Sequence, residues 1–219
     1  MTGTASVTEL IQAVETADSK VAIITAVRQL AAARDTVALP TLIQVLGYNN
    51  PGAAVAAVDG LVALGQEAVP ALLAQLDGYN YGARAWAIRA LALIGDPRSL
   101  AVLLETAAGD FALSVRRAAV KGIGTIHWSL MPPEQVIPAQ AQVLQTLIQT
   151  TADPEWVVRY ATVVGLYTLD RALPPSTRLT DHQKIVACLR QITQQDQTLA
   201  VRARAQLALN ELHPLTTSG

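Results

Sequence analysis

The chain is short of aromatic residues and short of charge. Of its 219 residues, 4% are aromatic (three Trp, five Tyr, one Phe) and 15% are charged, where a soluble chain usually carries roughly a quarter. The 51% that are hydrophobic are therefore mainly Ala, Leu, Val and Ile, with the strong helix formers Ala and Leu prominent. A single Cys excludes an internal disulfide framework and any multi-Cys zinc site. Sixteen Lys and Arg against seventeen Asp and Glu leave a net charge of −1. That balance excludes a nucleic-acid binder driven by phosphate neutralisation and a polybasic membrane anchor.

Long hydrophobic runs are missing too. The most apolar stretches, 53–64 and 83–94, are too short for a membrane span and carry Asp59, Arg84 and Arg89. The start, Met1-Thr2-Gly3-Thr4-Ala5-Ser6, lacks the basic and apolar segments of a secretory signal, so the expectation is a cytosolic protein. No Gly-rich phosphate loop is present. His127, His182 and His213 lie far apart and none stands beside a Glu, which removes the His-Glu pairs of a helical-repeat di-iron enzyme and leaves no metal site to expect. Cys188 sits in the apolar stretch Ile185-Val186-Ala187-Cys188-Leu189 and reads as a small hydrophobe. No catalytic residue is assigned; chemistry here must come from holding and orienting reactants.

What the chain has is a repeat. Asp, four residues, then Val-Arg recurs at Asp110…Val115-Arg116, Asp153…Val158-Arg159 and Asp196…Val201-Arg202. Six residues after each Arg comes a small residue (Gly122, Gly165, Ala208), then an apolar one (Ile123, Leu166, Leu209). The frame extends backwards through Arg84, Ala54 and Lys20, with Ala90, Gly60 and Ala26 in the small slot. Six copies thus start at 20, 54, 84, 116, 159 and 202. Each is preceded by a second amphipathic stretch, such as Leu39, Leu42, Ile43 and Leu46 at helical spacing. The fold class expected is all-α: a curved HEAT- or armadillo-like solenoid of about six helix pairs, with the second (B) helices inside. One domain, 1–219, is expected, with longer Pro-Pro loops near 127–136 and 171–181 and a disordered tail at 216–219. The Asp residues are expected to cap the B helices, and the Arg residues to reach an Asp or carbonyl of a neighbouring repeat.

On the third B helix, about 100° per residue puts Ala87, Ile88, Leu91 and Ile94 on the core side. Trp86, Arg89 and Leu93 fall opposite. The Trp86 slot holds Ala56, Ala118, Ala161 and Arg204 in other copies, and the Arg89 slot holds Asp59 and Lys121. An exposed Trp between small residues, beside mixed charges, suits a flat, largely apolar ligand with anionic ends. The turns Gly47-Tyr48-Asn49-Asn50 and Gly78-Tyr79-Asn80-Tyr81 are alike. Asn50 and Asn80 read as ordinary cap residues, whereas three of the five tyrosines on one rim call for a function. The candidate surface for a ligand or partner is Tyr48, Asp59, Tyr79, Tyr81, Trp86, Arg89 and Lys121.

The segments 47–61 (Gly-Tyr-Asn-Asn-Pro-Gly-Ala-Ala-Val-Ala-Ala-Val-Asp-Gly-Leu) and 77–91 (Asp-Gly-Tyr-Asn-Tyr-Gly-Ala-Arg-Ala-Trp-Ala-Ile-Arg-Ala-Leu), with 110–119, resemble the F-type subunits of the E/F-type bilin lyases. The resemblance covers most of the chain and is weakest after Leu173. It implies a heterodimer with an E-type subunit, both helical solenoids. It implies phycocyanobilin as substrate rather than cofactor, joined through a thioether to a cysteine of the phycocyanin alpha subunit, with transfer in both directions. On that reading Arg89 meets a bilin propionate and Asp59 the pyrrole N–H groups, with no nucleic acid or membrane involved. The place of work is the cyanobacterial cytosol, during phycobilisome biogenesis. With Cys188 as the one cysteine, chromophore isomerisation is not expected. The competing reading is a non-catalytic HEAT-repeat protein that binds phycobiliproteins in phycobilisome assembly or degradation.

Overall fold

The structure, a computed structural model, describes residues 5–77 and 80–212; the expected tail at 216–219 lies outside the described residues. Among these the chain forms twelve α-helices and no strand. They alternate as pairs: α1 (Val7–Glu15) with α2 (Lys20–Ala33), α3 (Leu39–Val45) with α4 (Pro51–Leu64), and α5 (Val69–Ala74) with α6 (Tyr81–Ile94). The series continues with α7 (Leu100–Gly109) and α8 (Leu113–Ile123), α9 (Pro133–Thr150) and α10 (Trp156–Ala172), α11 (Pro175–Gln195) and α12 (Leu199–Leu212). Each expected repeat start falls in the second helix of a pair. The helices group into two compact units, Met1–Ser99 and Leu100–Gly219.

In the first unit, α2 packs on α4 and α4 on α6. The contact is possible because the recurrent small slot lies in it. A Cβ on Gly60 would come 2.8 Å from the Ala31 side chain of α2. Asparagine then ties the repeats together. Asn50 caps α4 by accepting from the Ala53 N–H (3.2 Å) and donates its amide to the Lys20 carbonyl (3.2 Å) at the start of α2. Asn80 caps α6 in the same manner, accepting from Ala83 N–H at 3.0 Å. The stretch Pro51–Ala74 has the length and apolarity of a membrane span, with mean hydropathy 1.4. It is bent at Gly65, whose φ of 62° suits glycine. Its Ala53, Ala57, Val58, Leu61, Val69 and Leu72 are packed in the interior.

In the second unit, α8 packs on α10 and α10 on α12. Here the approach is closer still. A Cβ on Gly124, just past α8, would come 2.6 Å from the Gly165 Cα of α10, and one on Gly165 would come 2.7 Å from Leu147. The Asp…Val-Arg motif forms a ladder. The Arg116 guanidinium donates to both carboxylate oxygens of Asp153 in the next repeat (2.8 and 3.1 Å) and to the Asp110 carbonyl of its own (2.8 Å). Arg159 repeats the arrangement with Asp196 (2.7 and 3.1 Å) and the Asp153 carbonyl (2.9 Å). Arg202 ends the series on the Asp196 carbonyl at 2.7 Å.

Two expectations are corrected. The ladder Asp residues do not cap the B helices. Each stands three residues before the first residue of the helix and accepts the N–H two residues on: Ala112, Glu155 and Thr198, at 2.8–2.9 Å. That closes an Asx turn and leaves the carboxylate open to the neighbouring Arg. The loop at 171–181 does not exist either. α10 runs to Ala172 and α11 begins at Pro175, so only Leu173 and Pro174 link them. Proline at the first helical position costs no hydrogen bond and is already shaped for helix, so Pro-Pro starts this helix rather than ending one. Likewise Pro133 opens α9, and the 127–136 connection contains a 3₁₀ turn at Trp128–Leu130.

The ladder pairs are nearly dry, with side-chain exposures of 12% and 7% for Arg116–Asp153 and 15% and 5% for Arg159–Asp196. Burial works to raise the Asp196 carboxyl, but the Arg159 hydrogen bonds, the Thr198 N–H and the charges of Arg159 and Arg202 outweigh it and hold its pKa below the ordinary range. Asp153 is held low by the same balance through Arg116 and the Glu155 N–H. A carboxyl that titrates lower folded than unfolded contributes its full stability above the unfolded value, near pH 4, and loses it as the pH falls through the lowered one. Arg159→Ala should therefore cost about 3 kcal/mol at pH 7, because it strands a buried carboxylate. The deficit should shrink as the pH falls below 4, measured by urea unfolding across pH. An unchanged midpoint at pH 7 would show that the ladder bears no load.

Candidate functional site

The exposed face of α6 is narrow because the helix is otherwise buried: Ala83, Ala87, Ile88, Ala90, Leu91, Ala92 and Ile94 are all in the core. Past its first turn, the helix turns outward Trp86, Arg89 and Leu93, at i, i+3 and i+7. Trp86 is half-buried and Arg89 exposed. The Arg89 guanidinium carbon lies 5.8 Å from the centre of the Trp86 ring, within range of a cation–π contact. Leu93 extends the strip, 46% exposed. The structure thus brings Trp86 and Arg89 together as expected. Asp59 is exposed on α4, the helix packed against α6. Ala56, in the Trp86 slot of α4, is buried.

Tyr48 and Tyr81 are half-buried. Tyr48 lies in the turn between α3 and α4, where its carbonyl accepts from the Asn50 N–H at 2.7 Å; Tyr81 is the first residue of α6. Tyr79 lies outside the described residues. Lys121 is exposed in the last turn of α8, in the second unit. Arg89, Asp59 and Lys121 enter no ion pair or side-chain hydrogen bond among the described residues; the Arg89 guanidinium lies over Trp86.

A second aromatic–guanidinium group was not anticipated. Tyr167 of α10 has the Arg171 guanidinium 5.7 Å and that of Arg204, from α12, 5.3 Å from its ring centre. Arg171 also donates to the Tyr167 hydroxyl at 2.9 Å. The signal was present in part: Arg204 occupies the slot that holds Trp86 in the third copy.

Two other side chains with reactive potential are His182 and Cys188. His182 Nδ1 lies 2.7 Å from Asp170 Oδ1, joining α11 to the buried end of α10. No three His, Cys, Asp or Glu side chains converge as metal ligands among the described residues. Cys188 borders an open cleft of about 430 Å³ with Asp153, Arg159, Gln191 and Asp196. Burial pushes its thiol up to about 11.

These features define a HEAT-type helical-repeat protein with open aromatic–guanidinium strips on its B helices. The HEAT-repeat family matches residues 69–167. The chain is 59% identical to the phycocyanin alpha phycocyanobilin lyase CpcF of Synechocystis sp., over 76% of this chain and 78% of that protein. It is 52% identical to the phycocyanobilin lyase subunit beta of Pseudanabaena tenuis, over 93% of this chain and 72% of that one. In three dimensions it is similar to a chain in the complex of CpcE and CpcF of phycocyanin lyase from Nostoc sp., with a TM-score of 0.73 and 49% identity over 80% of this chain and 99% of that chain. The chain belongs to the F-type, or beta, subunits of the phycocyanobilin lyases.

The raised thiol separates Cys188 from a nucleophile, since the thiolate is the reactive form. Iodoacetamide at pH 8 should modify Cys188 at least about tenfold more slowly than a free thiol of ordinary pKa. The rate should climb as the pH rises towards 11, followed by mass spectrometry. Modification at the free-thiol rate would return the residue to the list of reactive groups.

Proposed function

We propose that this chain is the F-type subunit of a heterodimeric lyase that attaches phycocyanobilin to the phycocyanin alpha subunit, in the cyanobacterial cytosol, and that it works by binding and orienting the chromophore. The observation that carries the reading is the 59% identity to a phycocyanin alpha phycocyanobilin lyase, supported by the fold shared with a chain of the CpcE–CpcF complex. The partner is an E-type subunit. The bilin is substrate, and the chain needs no cofactor of its own.

The chemistry is addition of a cysteine thiol of the alpha subunit across the ethylidene double bond of the bilin, giving a thioether; the reverse step releases it. The residues of this chain supply position. Trp86 offers a ring face to the conjugated plane, and Arg89 offers a planar fork to a propionate. Asp59, on the adjacent helix, is an acceptor for pyrrole N–H groups. Tyr48 and Tyr81 stand at the turns that lead into α4 and α6 and add phenol groups to this unit. Fixing the bilin against the thiol replaces a search in solution with a held geometry, and such orientation alone is a large part of many rate enhancements.

Co-expression with an E-type subunit, phycocyanin alpha subunit and a bilin source tests this. A covalent, zinc-fluorescent band on the alpha subunit is expected only when both lyase subunits are present. Its absence would favour a non-catalytic phycobiliprotein binder. Arg89→Ala should slow attachment about tenfold, the worth of one charged hydrogen-bonded contact. Arg89→Lys should recover part of it, and Trp86→Ala should slow attachment without lowering thermal stability appreciably, because its face is outward. Cys188→Ser should attach at the normal rate. If Cys188→Ser abolishes attachment while the other variants are normal, a covalent relay through this subunit replaces the orienting surface.

A further inference from the structure

Tyr160, Val164, Tyr167 and Arg171 fall at i, i+4, i+7 and i+11 along α10, which puts them on one stripe. None of the four is fully buried, and Arg171 is exposed. On α12, which packs against α10, Arg204, Leu207 and Glu211 make the matching outward row, with Leu207 49% exposed. The surface is apolar and aromatic along its length and ends in two guanidinium groups that share one tyrosine.

Its hydrogen bonding is incomplete in one direction only. The Tyr167 hydroxyl accepts from Arg171, and its own O–H meets no acceptor among the described residues. Arg204 forms no side-chain hydrogen bond among the described residues; its Nη1 is buried, and its other guanidinium nitrogens are open to an acceptor. The nearby carboxylate is Glu211, close enough to Arg171 to act on it electrostatically, yet it forms no ion pair with either arginine among the described residues. Two cations drawn to one ring, with spare donors and no carboxylate partner among the described residues, are arranged for an acceptor-only anion. A carboxylate accepts from a guanidinium fork and a phenol together. The apolar strip of Tyr160, Val164 and Leu207 selects a carboxylate carried on a flat, conjugated body over a small inorganic anion.

We propose that Tyr167, Arg171 and Arg204 form a carboxylate-binding site on the second unit that receives a propionate of the linear tetrapyrrole. The inference rests on the bilin-binding function proposed above.

The test uses the full chain assembled with its E-type partner. Affinity is measured by absorbance titration for phycocyanobilin as the free acid and as its dimethyl ester, which keeps the conjugated body and loses both charges. Arg204→Gln should weaken the free acid about tenfold and leave the ester unchanged. Arg204→Lys should fall between Arg204→Gln and the unaltered chain. Tyr167→Phe keeps the ring and removes the O–H donor, and should weaken the acid by a smaller factor, again without effect on the ester; it is the decisive variant if Arg204→Gln unfolds. Equal losses for acid and ester would make the cluster a packing element and overturn the site. Weaker heterodimer assembly in the absence of bilin would assign the arginines to an acidic surface of the partner, which also overturns it. Unaltered acid binding in Arg204→Gln and Tyr167→Phe overturns the site alone. An unaltered heterodimer that binds neither form of the bilin overturns the proposed function, and this site with it.

Discussion

The close approach of successive B helices is the constraint on which the rest of this molecule depends. Gly60 against Ala31, and Gly124 against Gly165, leave no space for a Cβ. A side chain at those points would force helices apart and break the register of everything attached to them. Close backbones shorten the distance between equivalent turns of adjacent repeats. In the second unit that distance is what a guanidinium spans: Arg116 and Arg159 each bond the acidic residue of the following repeat and a carbonyl of their own. In the first unit the gap is bridged by a shorter residue, Asn50, reaching Lys20. The glycine contact and the polar ladder are thus one device seen at two levels, packing and hydrogen bonding.

The same packing decides where function can reside. A B helix packed on a neighbouring B helix and backed by its own A helix leaves an outward strip. On α6 that strip is Trp86, Arg89 and Leu93; on α10 it is Tyr160, Val164, Tyr167 and Arg171. In a chain with so few aromatic residues, their placement on these strips is informative. The core is filled by Ala, Val, Leu and Ile, so no aromatic ring is needed to complete it. Rings left at the surface beside arginine are costly unless something flat covers them.

The helix pairs, their order and the B-helix starts were legible because the determinants are local: period, small slot and motif spacing. Trp86 and Arg89 were legible together for the same reason, being one turn apart. The ladder was half legible. The Arg reach was readable from its recurrence, but the Asp was misread as a cap, since an Asx turn and a helix cap use the same residue a few positions before a helix. Pro-Pro at 174–175 was misread because proline both ends and begins helices, and only the surrounding packing decides which. Tyr167 and Arg204 were not paired at all. They are 37 residues apart, and their contact exists only once α12 has packed on α10.

The reactive inventory of the folded chain sharpens what sort of catalyst such a subunit can be. Its cysteine is masked by burial, and its ladder carboxylates are committed to arginine. One histidine, His182, is tied to Asp170. The two outward strips carry guanidinium donors, phenol groups and ring faces. They recognise charge and planarity but do not break bonds. Thiol addition to a bilin asks little more than this: the thiol is supplied by the acceptor protein, the electrophile by the bilin, and the step is governed by which carbon meets the sulfur and from which side. A surface that fixes the plane and a carboxylate of a tetrapyrrole controls those variables. A more reactive side chain at the same place would compete with the acceptor cysteine for the chromophore. The chemical quiet of this surface is therefore consistent with its task, because the product must leave on another protein.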